Sequence, residues 1–160
     1  MSVIIREIQE KDNSILASII RSCFKEFNAP QQGTVYSDPT TDQLYQYFQA
    51  THSICWVAEI DNQIVGCCGI YPTENLPTGH AELVKFYIHA SARGKGIGKI
   101  LMNQCLASAK KLGYSTIYLE SLPHFSTAVN MYIKHGFTVL NNPLGNSGHT
   151  SCNIWMIKNI

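Results

Sequence analysis

The sequence predicts a single mixed α/β domain over residues 1–160, with an antiparallel half followed by a β-α-β half. Three observations carry this. Ser53–Ile60 and Gln63–Tyr71 are β-rich runs joined at Asp61-Asn62, a two-residue turn of the hairpin kind. Ala81–His89 is an apolar run that passes through a glycine-rich turn into a long amphipathic helix, and Ser115–Ser121 follows as another strand. The third observation is size: 160 residues with 45% hydrophobic content bury roughly 70% of the unfolded surface, enough for one core without staples or metals.

Taken in order, Val3–Ile8 reads as a first strand built on Ile4, Ile5 and Ile8. Asp12, Asn13 and Ser14 offer N-caps to a helix whose apolar face holds Ile15, Leu16, Ile19, Ile20, Cys23, Phe24 and Phe27. Pro30, Gly33 and Pro39 mark Asn28–Pro39 as a loop, and Thr40–Ala50 reads as a second, shorter helix. The hairpin follows, then a loop at Pro72–Gly79 and the strand Ala81–His89. Ile97, Ile100, Leu101, Cys105, Ala109 and Leu112 form the stripe of the long helix, which Gly113 closes as a left-handed C-cap. A short helix at Thr127–His135 ends at Gly136 and leads to the strand Phe137–Leu140. The turn-rich region Asn141–Gly148 precedes a last strand, Cys152–Lys158. The order is β-α-α-β-β-β-α-β-α-β-β.

Composition narrows the function. Twelve Lys plus Arg against eleven Asp plus Glu leave a formal charge of +1, so no polyelectrolyte surface points to nucleic acid. No apolar run approaches a membrane span, and no basic n-region with an apolar stretch opens the chain, which makes the cytoplasm the default expectation. Six cysteines at 23, 55, 67, 68, 105 and 152 form no C-x-x-C pair and no zinc-type spacing with histidine. They read as small buried hydrophobes in a reducing compartment, with a catalytic thiol as the alternative and no metal expected.

Arg93-Gly94-Lys95-Gly96-Ile97-Gly98 stands where a strand hands over to a helix. Glycines there let backbone N–H groups approach a ligand, and with the helix N-terminus they form an anion cradle. The spacing is neither the dinucleotide fingerprint nor a P-loop. Arg93-x-x-Gly96-x-Gly98 resembles the coenzyme A pyrophosphate loop of the GNAT acyltransferases, and Tyr132-Ile133-Lys134-His135-Gly136-Phe137 is similar to that family's Y-x-x-x-G-F segment. Each motif is weak alone. Together, about forty residues apart on the matching elements, they are specific, and the order of elements extends the likeness over nearly the whole chain.

The resemblance implies a central mixed sheet of about seven strands, helices on both faces, and a splay between the fourth and fifth strands. It implies transfer of an acetyl group from acetyl-CoA to a primary amine of a small molecule or peptide. Phe86, Tyr87 and Ile88 would supply main-chain contacts to the pantetheine arm. Arg93, Gly94, Lys95, Gly96, Ile97 and Gly98 would hold the pyrophosphate. Glu82 is the candidate base, with Glu120, His80, His149 or a relayed water as alternatives, and Tyr132 is the candidate acid. A fourth-strand N–H near Tyr87 or Ile88 would serve the oxyanion.

One departure is plain. Where the family often places a cofactor-contacting asparagine, this chain has Phe125, so Ser126 or Asn130 is expected to replace that contact. On the acceptor side, the loops Asn28–Pro39 and Pro72–Gly79 carry Tyr36, Asp38 and Glu74 but no dense acidic stripe of the kind a polyamine would want. A non-catalytic acyl-CoA-binding regulatory module is the alternative function. Monomer and homodimer both stay open, with the last strand and Asn141–Gly148 as a dimer seam by analogy.

Overall fold

The computed structural model describes residues 1–160. Its sheet has seven strands: β1 (Val3–Glu7), β2 (Ile54–Ile60), β3 (Gln63–Tyr71), β4 (His80–Ile88), β5 (Thr116–Ser121), β6 (Thr138–Leu140) and β7 (Ile154–Asn159). In space they run β1-β2-β3-β4-β5-β7-β6, and β4–β5 is the one parallel pair. The helices are α1 (Asn13–Glu26), α2 (Leu44–Tyr47), α3 (Ile97–Lys111) and α4 (Ser126–Lys134). No helix is long and apolar enough to cross a membrane.

The expected turn at Asp61-Asn62 is present, with φ of 48° and 66°. Two left-handed residues in succession match the twist of the flanking strands, so the turn sets the register of β2 and β3. Two cores flank the sheet. Leu101, Met102, Cys105 and Ala109 of α3 pack on one face together with Tyr132 of α4. Leu16, Ile20 and Phe24 of α1 pack on the other with Leu44 and Phe48.

Both motif helices end in the same way. Gly113 (φ 96°) follows α3, with Tyr114 N–H donating to Ala109 C=O and Gly113 N–H to Lys110 C=O. Gly136 (φ 90°) follows α4, with Phe137 N–H donating to Tyr132 C=O and Gly136 N–H to Ile133 C=O. This is the Schellman arrangement, and the rings of Tyr132 and Phe137, 5.9 Å apart, make the apolar contact that accompanies it. The Y-x-x-x-G-F spacing is thus a helix-ending device that also fixes where Tyr132 stands.

The fork lies at the centre of the sheet. β4 and β5 pair only at His80–Thr116, Ala81–Ile117 and Glu82–Tyr118. From Leu83 onward β4 continues beside β3 alone, while β5 continues beside β7. A bulge in β4 opposite Cys68 adds to the divergence, where Lys85 takes a left-handed φ of 56°. The bulge also shifts the alternation. Val84 before it and Tyr87 after it join the α1 core, and Phe86 and Ile88 pack against the α3 core.

Some local expectations need correction. Thr40–Ala50 is not one helix. A 3-10 turn at Pro39–Asp42 precedes the single turn of α2, because Thr40 and Thr41 bond locally to Asp38 and Val35 instead of extending a helix. Asp12 does not cap α1 through its side chain. It is buried, and its carboxylate accepts from Arg6 (2.8 and 3.0 Å) and from Gln9 N–H (2.7 Å), charge-assisted bonds that outcompete a cap. Ile15, Phe27 and Ile100 sit beside their helices' buried stripes and are exposed. All six cysteines are free; five are buried and Cys152 is half-buried, as small hydrophobes would be.

Candidate active site

The fork opens into a cleft of about 340 Å³ lined by the end of β4, the glycine turn, and the starts of α3 and α4. Gly94 and Gly96 hold φ of 74° and 79°, and a Cβ added at either would meet nothing within 4 Å. Their glycines are required by conformation, and the space above them is open. Gly96 precedes α3 without a side-chain cap, so the first N–H groups of the helix are left for a ligand. Gly98 has a different reason: a Cβ there would stand 3.2 Å from Ile88 and 3.5 Å from Met131. It lets α3 approach β4 and α4 closely.

His89 N–H donates to Val65 C=O (2.7 Å), and antiparallel alternation then turns the N–H and C=O of Ile88 away from β3 toward the gap. Phe86, Tyr87 and Ile88 all line the cleft. Arg93 Nε takes the Ile88 C=O, so the donor set is a sheet edge with the Ile88 N–H free, leading to an uncapped helix start. That is the shape and chemistry an extended amide chain ending in a diphosphate requires.

Sequence expectation and geometry differ at three cleft residues. Arg93 lines the cleft, but its guanidinium is committed: Nε donates to Ile88 C=O (3.1 Å), NH1 pairs with Glu26, NH2 reaches Cys23 Sγ (3.3 Å), and the group lies 4.8 Å from the Phe27 ring. It braces the turn against α1. Lys95 is exposed and does not line the cleft, whereas Lys99, one turn into α3, does. Asn130 is exposed outside the cleft, because Ala128 and Met131 mark the lining side of α4 and Asn130 lies well around the helix from Ala128. Ser126 and Thr127 are the polar residues that α4 presents there. Phe125 packs on Phe24 (5.2 Å) and Phe27 (5.7 Å), replacing a polar contact with an aromatic wall.

A smaller inner cavity of about 80 Å³ continues from the cleft, sharing Phe86, Tyr87, Phe125 and Ala128 with it. Glu82, Lys85, Glu120, Tyr132, His149 and Cys152 line it as well. Glu82 is 4% exposed and accepts from Thr73 Oγ1 at 2.6 Å. Burial, with the charge of Glu120 as a second cause, raises its carboxyl to about 8 against the opposing pull of Thr73 and Lys85. Glu120 accepts from the hydroxyls of Tyr118 (2.6 Å) and Ser147. Tyr132 is 6% exposed, and its hydroxyl bonds no other residue but is reached by solvent, since no buried polar side-chain atom lacks a partner. Burial raises its phenol well above the usual value, so it stays protonated.

Lys85 and His149 are arranged around Asp38. His149 Nε2 bonds Asp38 Oδ2 at 2.8 Å, and Lys85 Nζ lies 3.6 Å from the same oxygen. Burial alone would raise the Asp38 carboxyl, but the His149 bond and the Lys85 charge overcome it and hold it well below the usual range. Burial lowers the Lys85 ammonium against the attraction of Asp38 and Glu82. The sequence flagged Asp38 in its loop and His149 as an alternative base, but it gave no sign that residues 111 apart would pair. Lys85, on the sequence a possible partner for Glu82, instead faces Asp38. His80 lies outside both cavities, bonding Thr78 C=O. Burial pushes the Cys152 thiol up to about 12, which removes it as a nucleophile.

A sheet forked at a parallel pair, an anion cradle beside the fork and enclosed acid–base groups behind it have the form of an acyltransferase domain. The chain belongs to the GNAT acetyltransferases: the model of the acetyltransferase (GNAT) family matches residues 17–137. It is 30% identical over 160 residues to the uncharacterized N-acetyltransferase YjgM of Escherichia coli (strain K12), covering 99% of this chain and 96% of that one. It is 33% identical over 116 residues to N-acetyltransferase 8F1 of Rattus norvegicus, covering 71% of this chain and half of that protein. Among solved structures, a GNAT acetyltransferase of Staphylococcus aureus Mu50 superposes with a TM-score of 0.86 at 21% identity, over 99% of both chains. The PaiA N-acetyltransferase of Thermoplasma acidophilum, solved with coenzyme A, superposes at 0.72 and 20% identity over both whole chains. The expected fold, with its splay between the fourth and fifth strands, is the one observed.

Proposed function

We propose that this protein is an acetyl-CoA-dependent N-acetyltransferase acting on the amine of a small molecule. The observation that carries the reading is the joining of an open donor cleft to a smaller inner cavity lined by the buried Glu82 carboxyl, which makes no ion pair, and by Tyr132. Acetyl-CoA supplies an activated thioester. The cradle at Gly94–Gly98 and the edge of β4 hold it with its acyl end toward the inner cavity. Glu82 takes the proton that the acceptor ammonium must lose, since an amine with a pKa near 10.4 is only about one part in 10³ neutral at physiological pH. Nitrogen bonds the acyl carbon as the carbon–sulfur bond breaks, and Tyr132 protonates the departing sulfur. Lys99 takes the place expected of Lys95 in the donor site, and of the two residues expected to replace the family asparagine it is Ser126, beside Thr127, that serves. A cytoplasmic location fits such a reaction.

Acetyl-CoA at about 100 times its dissociation constant stabilises the fold by roughly 2.7 kcal/mol, a rise in melting temperature of about 5–10 °C. Absence of any shift with acetyl-CoA or CoA contradicts the reading. A shift without acetyl transfer to any amine would instead favour the regulatory, non-catalytic module.

A further inference from the structure

We infer that the acceptor is a small monoamine with an apolar body and no carboxylate beside the amine, an inference that rests on the acetyltransferase reading above. The charges of the inner cavity are the first ground. Glu82 and Glu120 both line it, and neither makes an ion pair; their partners are the neutral hydroxyls of Thr73, Tyr118 and Ser147. The two groups in the lining able to carry positive charge, Lys85 and His149, are both committed to Asp38 behind it. The cavity therefore offers two carboxyl groups as hydrogen-bond acceptors to an ammonium, but no free cation to an acceptor carboxylate.

The second ground is independent of the carboxylates. Tyr132 lines the same cavity, and its hydroxyl, which solvent reaches because no buried polar side-chain atom of the chain lacks a partner, is free to meet a polar group of a ligand. The walls supply the third. Phe24, Tyr87 and Phe125 pack on one another with ring centres 5.2–6.1 Å apart, and Val35 and Leu122 complete an apolar surface.

The roof limits size. The loop after β6 is tied to the 28–39 loop by Ser151 N–H to Gly33 C=O (3.0 Å), Ser151 Oγ to Gln32 C=O (2.7 Å) and His149 to Asp38. It is tied to the 72–79 loop by Asn146 N–H to Glu74 C=O (2.7 Å) and to β5 by Ser147 to Glu120. A small cavity under such a roof favours a compact amine over a folded protein's lysine with its flanking backbone.

The test compares matched pairs that differ by one carboxylate: phenethylamine with phenylalanine, and n-butylamine with norvaline. Spermidine and a lysine-containing peptide complete the panel, and acetylated product is measured by mass spectrometry at fixed acetyl-CoA. The expected result is a kcat/KM for each amine roughly tenfold or more above its amino acid, and above spermidine and the peptide. Asp38→Asn, which releases Lys85 and His149 while keeping the size of the side chain, should move the ratio within each pair toward the amino acid. Glu120→Gln should raise KM for the amines more than it lowers kcat. Equal or better use of the amino acids, spermidine or the peptide by the wild-type protein overturns the acceptor assignment and leaves the transferase reading standing. No acetylated product from any amine overturns both.

Discussion

Glu82 of β4 faces Tyr118 of β5 as the last cross-strand pair before the two strands separate. The candidate base is therefore the residue at which the sheet stops being continuous, and this position explains its chemistry. It is held as firmly as a strand interior, buried by both flanking strands, and open toward the gap on one side only. The same fork lets groups from opposite faces share one cavity, since Glu82 lies with Val84 on the α1 face and Tyr132 belongs to the α3 core.

Glu82 must be ionised to accept a proton, and burial raises its carboxyl to about 8. The kcat/KM of the wild type should therefore rise with pH through an apparent pKa near that value in the free enzyme. Glu82→Gln should lose about 10²–10⁴-fold in turnover and lose that alkaline rise, while keeping the melting shift with acetyl-CoA. A pH–rate series on both proteins checks this, and a mutant that retains the wild-type limb assigns the base elsewhere.

Tyr132→Phe removes a hydroxyl that lines the inner cavity and is reached by solvent. The ring stays packed against Phe86 and Phe137, so thermal stability should change little or rise. Turnover should fall by about 10²-fold or more with acetyl-CoA affinity retained. Calorimetry and steady-state kinetics on the same preparation separate the two effects, and unchanged turnover removes the acid role.

A carboxyl raised on folding also makes stability depend on pH. Unfolded Glu82 titrates near 4.3, roughly the ordinary value for glutamate, and the folded group near about 8. Between these the folded state binds more protons than the unfolded one, so this residue's contribution falls as pH rises across that window. Glu82→Gln has no such term. Its melting temperature should gain on the wild type between pH 5 and pH 8.5, and a constant difference would show that the carboxyl is not raised.

Gly136 closes α4 at a φ of 90°, where a side chain is strained whatever the space around it. Gly136→Ala should cost about 1–2 kcal/mol, which is roughly 2–8 °C of melting temperature for a chain of this size. It should also lower turnover more than donor affinity, because the Schellman cap positions Tyr132.

Much of this was legible locally. The hairpin at Asp61-Asn62 and the caps at Gly113 and Gly136 are each written in residues suited to a positive φ, and each formed as expected; Gly94 and Gly96 of the glycine turn take positive φ as well. The lining side of α4, set by Ala128 and Met131, depends on how the helix docks at the fork, so the sequence did not separate Ser126, which lines the cleft, from Asn130, which does not. The bulge at Lys85 left no trace, because lysine is not a residue that advertises a left-handed conformation, and the strand around it alternates no differently. The pairing of Asp38 with His149 joins two loops far apart in the chain, and local pattern carries no information on such contacts. Arg93 was expected to face the ligand by its place in the motif. Its commitment to Glu26 and Ile88 depends on where α1 ends, which only the assembled fold shows.

The account stands on a donor held between the glycine turn and the free edge of β4. Hydrogen–deuterium exchange with and without acetyl-CoA tests that directly. Protection should concentrate in the amides of Phe86–Ile88 and Gly94–Gly98, with a smaller effect at the start of α4. Protection confined to other segments, or none at saturating acetyl-CoA, would contradict it.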